Sequence, residues 1–285
     1  MDILVFLAML AATPENAAPP ENAVIAQAVA NMYSRATTDA GVVSQAIFST
    51  NVAILERDGS WLKIRTPDDY TGWIQNAAAV RTPAYAQSGR VARVEALFAN
   101  LYRETDITIH QPVITLPFES RLEVLSGPRD AEGRWLEVRL PDGRAAWVQT
   151  GDITLAPDVK MPVGELIAWS KRFVGLPYLW GGTSTYGYDC SGFIQMLFRR
   201  LGYSLPRDAG PQADWEGFKP VERAELLPGD LLYFGSAAEK ITHTGMYIGN
   251  GQFINATAYQ RPMVQICNLN DEHWTGLFVA ARRIK

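Results

Sequence analysis

Two segments of the chain are near copies at identical internal spacing, and this limits the fold more than any other feature. Trp61-Leu62-Lys63-Ile64-Arg65 is followed by Pro67-Asp68 and Trp73; Trp135-Leu136-Glu137-Val138-Arg139 is followed by Pro141-Asp142 and Trp147. Upstream, Ala30-Asn31-Met32-Tyr33 matches Ala99-Asn100-Leu101-Tyr102. Short β-branched runs broken by Gly, Pro and Asp turns make each copy a small all-β unit. The period is about 70 residues, beyond the roughly 20–50 residues of solenoid repeats, so two compact barrels are expected rather than a stacked array.

Aromatic burial dominates small cores, so the four repeated Trp are expected inside the barrels. The Trp-Leu-x-Ile/Val-Arg strand and the closing strands Gly72-Trp73-Ile74 and Ala146-Trp147-Val148 resemble those of bacterial Src-homology-3-like domains, which accompany cell-wall enzymes. The resemblance covers about residues 24–156. It implies that Tyr70, ahead of Gly72 in the first barrel, lines a substrate cleft.

The rest of the chain is long enough for a further domain, since 285 residues make two or three domains and 47% of them are apolar. A net charge of -4 with both signs interspersed offers no polybasic stripe, which argues against nucleic acid as a partner. The two cysteines, Cys190 and Cys267, lie far apart in dissimilar contexts and do not read as a disulfide framework or a zinc site. Near the N-terminus, Ile3 to Ala12 has the length of a signal-peptide core and is too short for a membrane span, while Asp2 stands where a basic flank belongs. A secreted or envelope location and a cytoplasmic one therefore both stay open. Pro14-Glu15-Asn16-Ala17 and Pro20-Glu21-Asn22-Ala23 repeat a Pro-rich tetrapeptide with no apolar periodicity, the pattern of a tether.

Beyond residue 160, Pro162 to Gly175 reads as a helix, ended by Gly175 and Pro177. A Gly-rich loop leads to Asp189-Cys190-Ser191-Gly192-Phe193, after which Phe193, Met196, Leu197 and Leu201 keep helical spacing and Gly202 marks the stop. Cys190 is thus placed at a helix N-terminus, where the dipole favours a thiolate and the amide groups of the first turn can bind an oxyanion. A nucleophilic thiol needs a base within hydrogen-bond reach. Of His110, His243 and His273, only His243 opens a strand in a suitable context, and the other two read as surface residues. Asn255 can orient the imidazole only if the hairpin pairing brings it onto the face of His243. A two-residue Asn250-Gly251 turn would pair it with Met246, on the wrong face; a three-residue loop Gly249 to Gly251 pairs it with Gly245, and this loop is expected. Cys190, His243 and Asn255 then form the papain-like variant of a catalytic triad, with thiolate and imidazolium as the reacting pair. Cys267 alternates like a packed strand residue.

Residues 163–284 resemble the NlpC-type family of papain-like peptidases through Pro177-Tyr178-x-Trp180-Gly181-Gly182, Asp189-Cys190-Ser191-Gly192-Phe193, Leu205-Pro206-Arg207, Pro228-Gly229-Asp230-Leu231, His243-Thr244-Gly245 and Phe253-Ile254-Asn255-Ala256. At position 255 many relatives carry a second His, and Asn still orients an imidazole. The resemblance implies an α+β fold: an antiparallel sheet packed on helices, preceded by the two small all-β barrels. It further implies that Tyr178 supports the oxyanion and that Asp189 and Ser191 line the substrate pocket, where an acidic Asp189 beside Tyr70 suits an ammonium group. Arg207-Asp208 reads either as a carboxylate-binding group or as an ion pair bracing the catalytic helix, the second being favoured because such pairs are commonly local braces. The expected organisation is a candidate signal peptide and linker over 1–23, barrels over 24–90 and 91–157, and a peptidase domain over 158–285.

The function implied is a monomeric cysteine peptidase without metal or cofactor. It would cut the γ-D-glutamyl-L-diamino acid bond of peptidoglycan stem peptides that carry a free N-terminal L-alanine. Two other readings remain: a papain-like acyltransferase or amidase on wall peptides, and a wall-binding protein in which the barrels do the work.

Overall fold

The computed structural model describes residues 21–82, 84–127, 133–156 and 158–285. The N-terminal apolar run and the first Pro-Glu-Asn-Ala copy lie outside the described residues. The second copy does not act wholly as a tether: Glu21–Ala23 belong to strand β1 (Glu21–Ile25) and pair with β4 (Asn51–Asp58), with Ala23 buried. The barrel therefore begins ahead of residue 24, because this strand bridges β4 to β7 (Ala79–Val80). Between them run β2 (Val29–Tyr33), β3 (Val42–Ile47), β5 (Trp61–Arg65) and β6 (Thr71–Gln75), giving the order β3-β2-β6-β5-β4-β1-β7.

The second barrel comprises β8 (Val91–Val94), β9 (Phe98–Tyr102), β10 (Ile114–Pro117), β11 (Arg121–Ser126), β12 (Trp135–Arg139), β13 (Ala145–Gln149) and β14 (Ile153–Thr154). Its order, β10-β9-β13-β12-β11-β8-β14, is the first barrel's order strand for strand. The expectation for the tryptophans fails in both. Strand alternation turns Leu62 and Ile64, or Leu136 and Val138, into the core and leaves each Trp half-buried on the other face. There Trp61 meets Tyr33 edge-on at 5.5 Å and Trp135 meets Tyr102 in the same way at 5.6 Å. The repeated aromatics thus cap the barrels from outside.

The third domain starts with α1 (Val163–Ser170), which tightens into a 3-10 turn over Lys171–Phe173 instead of running on to Gly175. The two-residue strands β15 (Thr183–Ser184) and β16 (Gly187–Tyr188) lead into α2 (Cys190–Leu201), which Gly202 ends in the left-handed conformation. After α3 (Ala209–Ala213) come β17 (Phe218–Val221), β18 (Leu231–Gly235), β19 (Ile241–Gly249), β20 (Gln252–Thr257), β21 (Met263–Asn268), α4 (Glu272–Leu277) and β22 (Phe278–Ile284). The six larger strands form one antiparallel sheet, β17-β22-β18-β19-β20-β21. Phe193, Met196 and Leu197 of α2 pack with Met246, Ile254 and Ala256 on one face; Phe234, Phe253 and Trp274 pack on the other. Among the described residues no helix is long and apolar enough to cross a membrane.

Candidate active site

Cys190 is the first residue of α2, as the loop-to-helix pattern predicts. Asp189 caps the helix, its Oδ1 accepting from the Gly192 amide at 2.7 Å. The backbone amides of Thr244, the residue next to His243, and of Ser191 both favour the thiolate of Cys190. Burial pushes the thiol up to about 12, and the Asp189 carboxylate adds to the rise while both amides and Arg207 oppose it. His243 moves the other way. Burial holds its imidazole down at about 4, with His273 adding to the fall and Asn255 and Asp189 opposing it. Burial thus opposes charge at both groups, and at Cys190 it works against the helix terminus and the two amides, which favour the thiolate.

The ring of His243 stacks on Trp274, centroids 5.1 Å apart, and its Nε2 lies 2.9 Å from Asn255 Oδ1. Asn255 is fully buried, and its Nδ2 donates to Gln265 O at 3.3 Å and to Cys267 Sγ at 3.4 Å. With both amide hydrogens engaged, Oδ1 accepts from Nε2–H, and the imidazole keeps its lone pair on Nδ1.

The phase that brings Asn255 to His243 is the expected one, reached by a different turn. Met246 pairs with Ile254 and Tyr247 with Phe253, so Asn255 falls opposite Gly245. Gly249 pairs with Gln252, however, leaving a two-residue turn in which Asn250 and Gly251 both have positive φ, 54° and 70°. The extra residue is a bulge between Tyr247 and Gly249. Gly245 is required by the same closeness, since a Cβ there would lie 2.6 Å from the Phe253 ring and 3.0 Å from Asn255 Cβ.

Asp189, Ser191 and Arg207 form one buried network. Arg207 Nη2 lies 2.6 Å from Asp189 Oδ2, Nη1 donates to Asp189 Oδ1 and Ser191 Oγ at 3.1 and 3.0 Å, and Nε donates to Ser44 Oγ of the first barrel at 2.9 Å. Arg207 thus braces the catalytic helix through Asp189 and not through its neighbour. Asp208 is exposed, and its Oδ2 accepts from the Tyr70 hydroxyl at 3.2 Å. Burial and the Asp208 carboxylate raise the Tyr70 phenol to about 12. Tyr178 is also pushed up to about 12, by burial and then by Cys190 and Asp189, so its phenol keeps its proton.

His110 is exposed against Glu104, as read from sequence. His273 is not simply a surface residue: α4 lays it flat on Tyr259, centroids 3.7 Å apart, and edge-on to Trp274. Sequence reasoning gave Asp208 to Arg207 rather than to Tyr70, and missed the Asp189–Arg207 pair and Trp274. The motif Leu205-Pro206-Arg207 signalled the arginine but carried no sign of its partner.

A cysteine opening a helix, a histidine on a strand and an amide on the neighbouring strand are the arrangement that papain-like cysteine peptidases use. The NlpC/P60 family model matches residues 175–283, and the bacterial SH3 domain model matches 28–79. The chain is 30% identical over 257 residues to the gamma-D-glutamyl-L-lysine dipeptidyl-peptidase of Bacillus subtilis, covering 86% of this chain and 82% of that one. A Bacillus cereus protein of the same name is 29% identical over 84% of this chain and 74% of its own length. The crystal structure of an NlpC/P60 family protein from Bacillus cereus superimposes with a TM-score of 0.81 at 24% identity, covering 93% of this chain and 99% of that one, and so shares the fold of all three domains. The chain belongs to the NlpC/P60 family and is a cysteine peptidase.

Proposed function

We propose that the chain hydrolyses the γ-D-glutamyl-L-diamino acid bond of peptidoglycan stem peptides whose N-terminal L-alanine is free, with Cys190 as nucleophile, His243 as base and Asn255 as the group that orients it. The observation that carries the reading is the saturated amide of Asn255, which leaves His243 Nδ1 as the unprotonated nitrogen. The Cys190 S–H proton passes to Nδ1 as sulfur attacks the γ-carbonyl carbon of D-glutamate. Amide groups of the first turn of α2 and the Tyr178 hydroxyl stabilise the oxyanion. Collapse of the intermediate breaks the C–N bond, His243 returns the proton to the leaving amine, and a thioester remains on Cys190. Water, deprotonated by His243, then releases the acid and regenerates the thiol.

Both oxygens of Asp189 are committed to Arg207 and the helix cap, so a substrate ammonium group meets Asp208 beside Tyr70 instead. Asp189 and Ser191 act from behind, holding α2 and Arg207 in place. The relatives named gamma-D-glutamyl-L-lysine dipeptidyl-peptidase support a substrate whose amino end is free. A secreted or envelope location agrees with the length of the Ile3–Ala12 run and with a wall substrate.

Mass spectrometry of products from L-Ala-γ-D-Glu-L-Lys and its N-acetylated twin tests the proposal. Release of L-Ala-γ-D-Glu from the free-amine peptide alone is expected; equal cleavage of both would remove the ammonium pocket. Because only the neutral imidazole accepts the proton, kcat/KM is expected to hold well below pH 6.5, the ordinary histidine value, and to fall as pH approaches about 4. The same depression makes folded His243 bind a proton less readily than the unfolded chain does. Its contribution to stability is full above about pH 6.5 and is lost as pH falls towards about 4. A thiol alkylation rate that keeps rising into alkaline pH would mean a neutral pair at rest, whereas a plateau near neutrality would mean an ion pair.

A further inference from the structure

The second cysteine lies on β21, next to β20, with Cys267 paired directly to Phe253 and Gln265 to Asn255. Its sulfur is half-buried and reaches sideways to the amide that contacts His243. A buried carboxamide has two donors and one acceptor oxygen, and which end faces a neighbour is decided by what the other end meets. Here the nitrogen end meets two acceptors, the Gln265 carbonyl oxygen at 3.3 Å and Cys267 Sγ at 3.4 Å. We propose that Cys267 is a positioning residue: its sulfur and the Gln265 carbonyl hold the Asn255 amide so that Oδ1 faces His243 Nε2 and the base keeps its lone pair on Nδ1.

The inference deepens the Cys190–His243–Asn255 reading and rests on it. Flipping the amide would turn Nδ2 towards the ring, stabilise the tautomer protonated on Nδ1 and remove the base. It would also set Asn255 Oδ1 against the Gln265 carbonyl oxygen. The carbonyl opposes the flip through one amide hydrogen, and the sulfur opposes it through the other. Trp274 joins the same unit, because its indole favours negative charge on Cys267 while its ring stacks on His243. Removing the sulfur strands one donor of a side chain with no access to water, since Asn255 is 0% exposed.

The test compares Cys267→Val, which keeps an apolar side chain of similar size, with Cys267→Ser, which keeps an acceptor. Cys267→Val is expected to lower kcat about tenfold with KM unchanged, and Cys267→Ser to recover most of the loss. Nitrogen-15 NMR of the His243 ring in the same proteins should show Nε2–H in the parent and in Cys267→Ser, and a mixture of tautomers in Cys267→Val. Parental kcat in Cys267→Val would overturn the proposal, as would a fall in kcat with the Nε2–H signal intact. Asn255→Ala separates this inference from the one beneath it. A large loss there with a silent Cys267→Val refutes the role of the sulfur alone, and full activity in Asn255→Ala refutes the triad and this proposal together.

Discussion

The two barrels share a strand order, yet each passes its aromatic wedge to a different domain. Phe48 and Phe118 occupy matching places, each buried and each followed by a residue at φ 71°, Ser49 and Glu119. Phe48 leaves the first barrel and enters the core of the second, against Tyr85. Phe118 leaves the second barrel and enters the peptidase core, against Trp169 and Phe173 at 5.3 and 5.5 Å. The loops before the closing Trp diverge too. Tyr70, three residues ahead of Trp73, reaches Asp208, and Asp68 accepts from Gln195 of α2; in the second barrel Arg144, three residues ahead of Trp147, turns back to its own Asp142. One copy of the module reaches Asp208 and the catalytic helix through its loop, and the other is a mount for the peptidase core. Between them they grip the segment just before Cys190: Gln45 of the first barrel accepts from Thr183, and Thr185 and Tyr186 donate to Leu97 and Thr115 of the second.

This division of labour has consequences that mutation can break. The largest is expected at Phe118→Ala, which should cost about 3–5 kcal/mol in denaturant unfolding and lower kcat/KM as well, because the peptidase core loses its wedge. Phe48→Ala should cost a similar amount while leaving kcat/KM of the remaining folded protein unchanged; an equal loss of activity in both would mean that the barrels act as one body. Arg207→Ala leaves the buried Asp189 carboxylate uncompensated and is expected to cost about 3–5 kcal/mol, measured in the same unfolding experiment. Tyr70→Phe should lower kcat/KM for the free-amine tripeptide about tenfold and leave the N-acetylated one uncleaved. Its counterpart Arg144→Ala is exposed and self-paired, and a change of more than about 0.5 kcal/mol in stability, or any change in turnover, would contradict the assignment of roles.

What the sequence reveals of this molecule follows the range of the interactions involved. The helix start at Cys190, the strand at His243 and the two copies of the barrel come from local periodicity and turn residues, and each was legible. The phase of Asn255 was legible as well, because only pairing with Gly245 puts it on the face of His243; the Asn250-Gly251 turn and the bulge after Tyr247 are a different route to the same phase. The tryptophans were misread because alternation leaves open which of two faces is the core, and here Leu62 and Leu136 take it. Asp189–Arg207, Tyr70–Asp208 and the destinations of Phe48 and Phe118 join elements distant in sequence. No local pattern encodes such partners, since they depend on how three domains meet.

Turnover of L-Ala-γ-D-Glu-L-Lys by Cys190→Ala, followed by mass spectrometry beside the parent protein and Cys267→Ser, tests the central claim most directly. The account predicts no dipeptide from Cys190→Ala and clear release by the other two. Dipeptide release by Cys190→Ala at a rate near the parent's would contradict it.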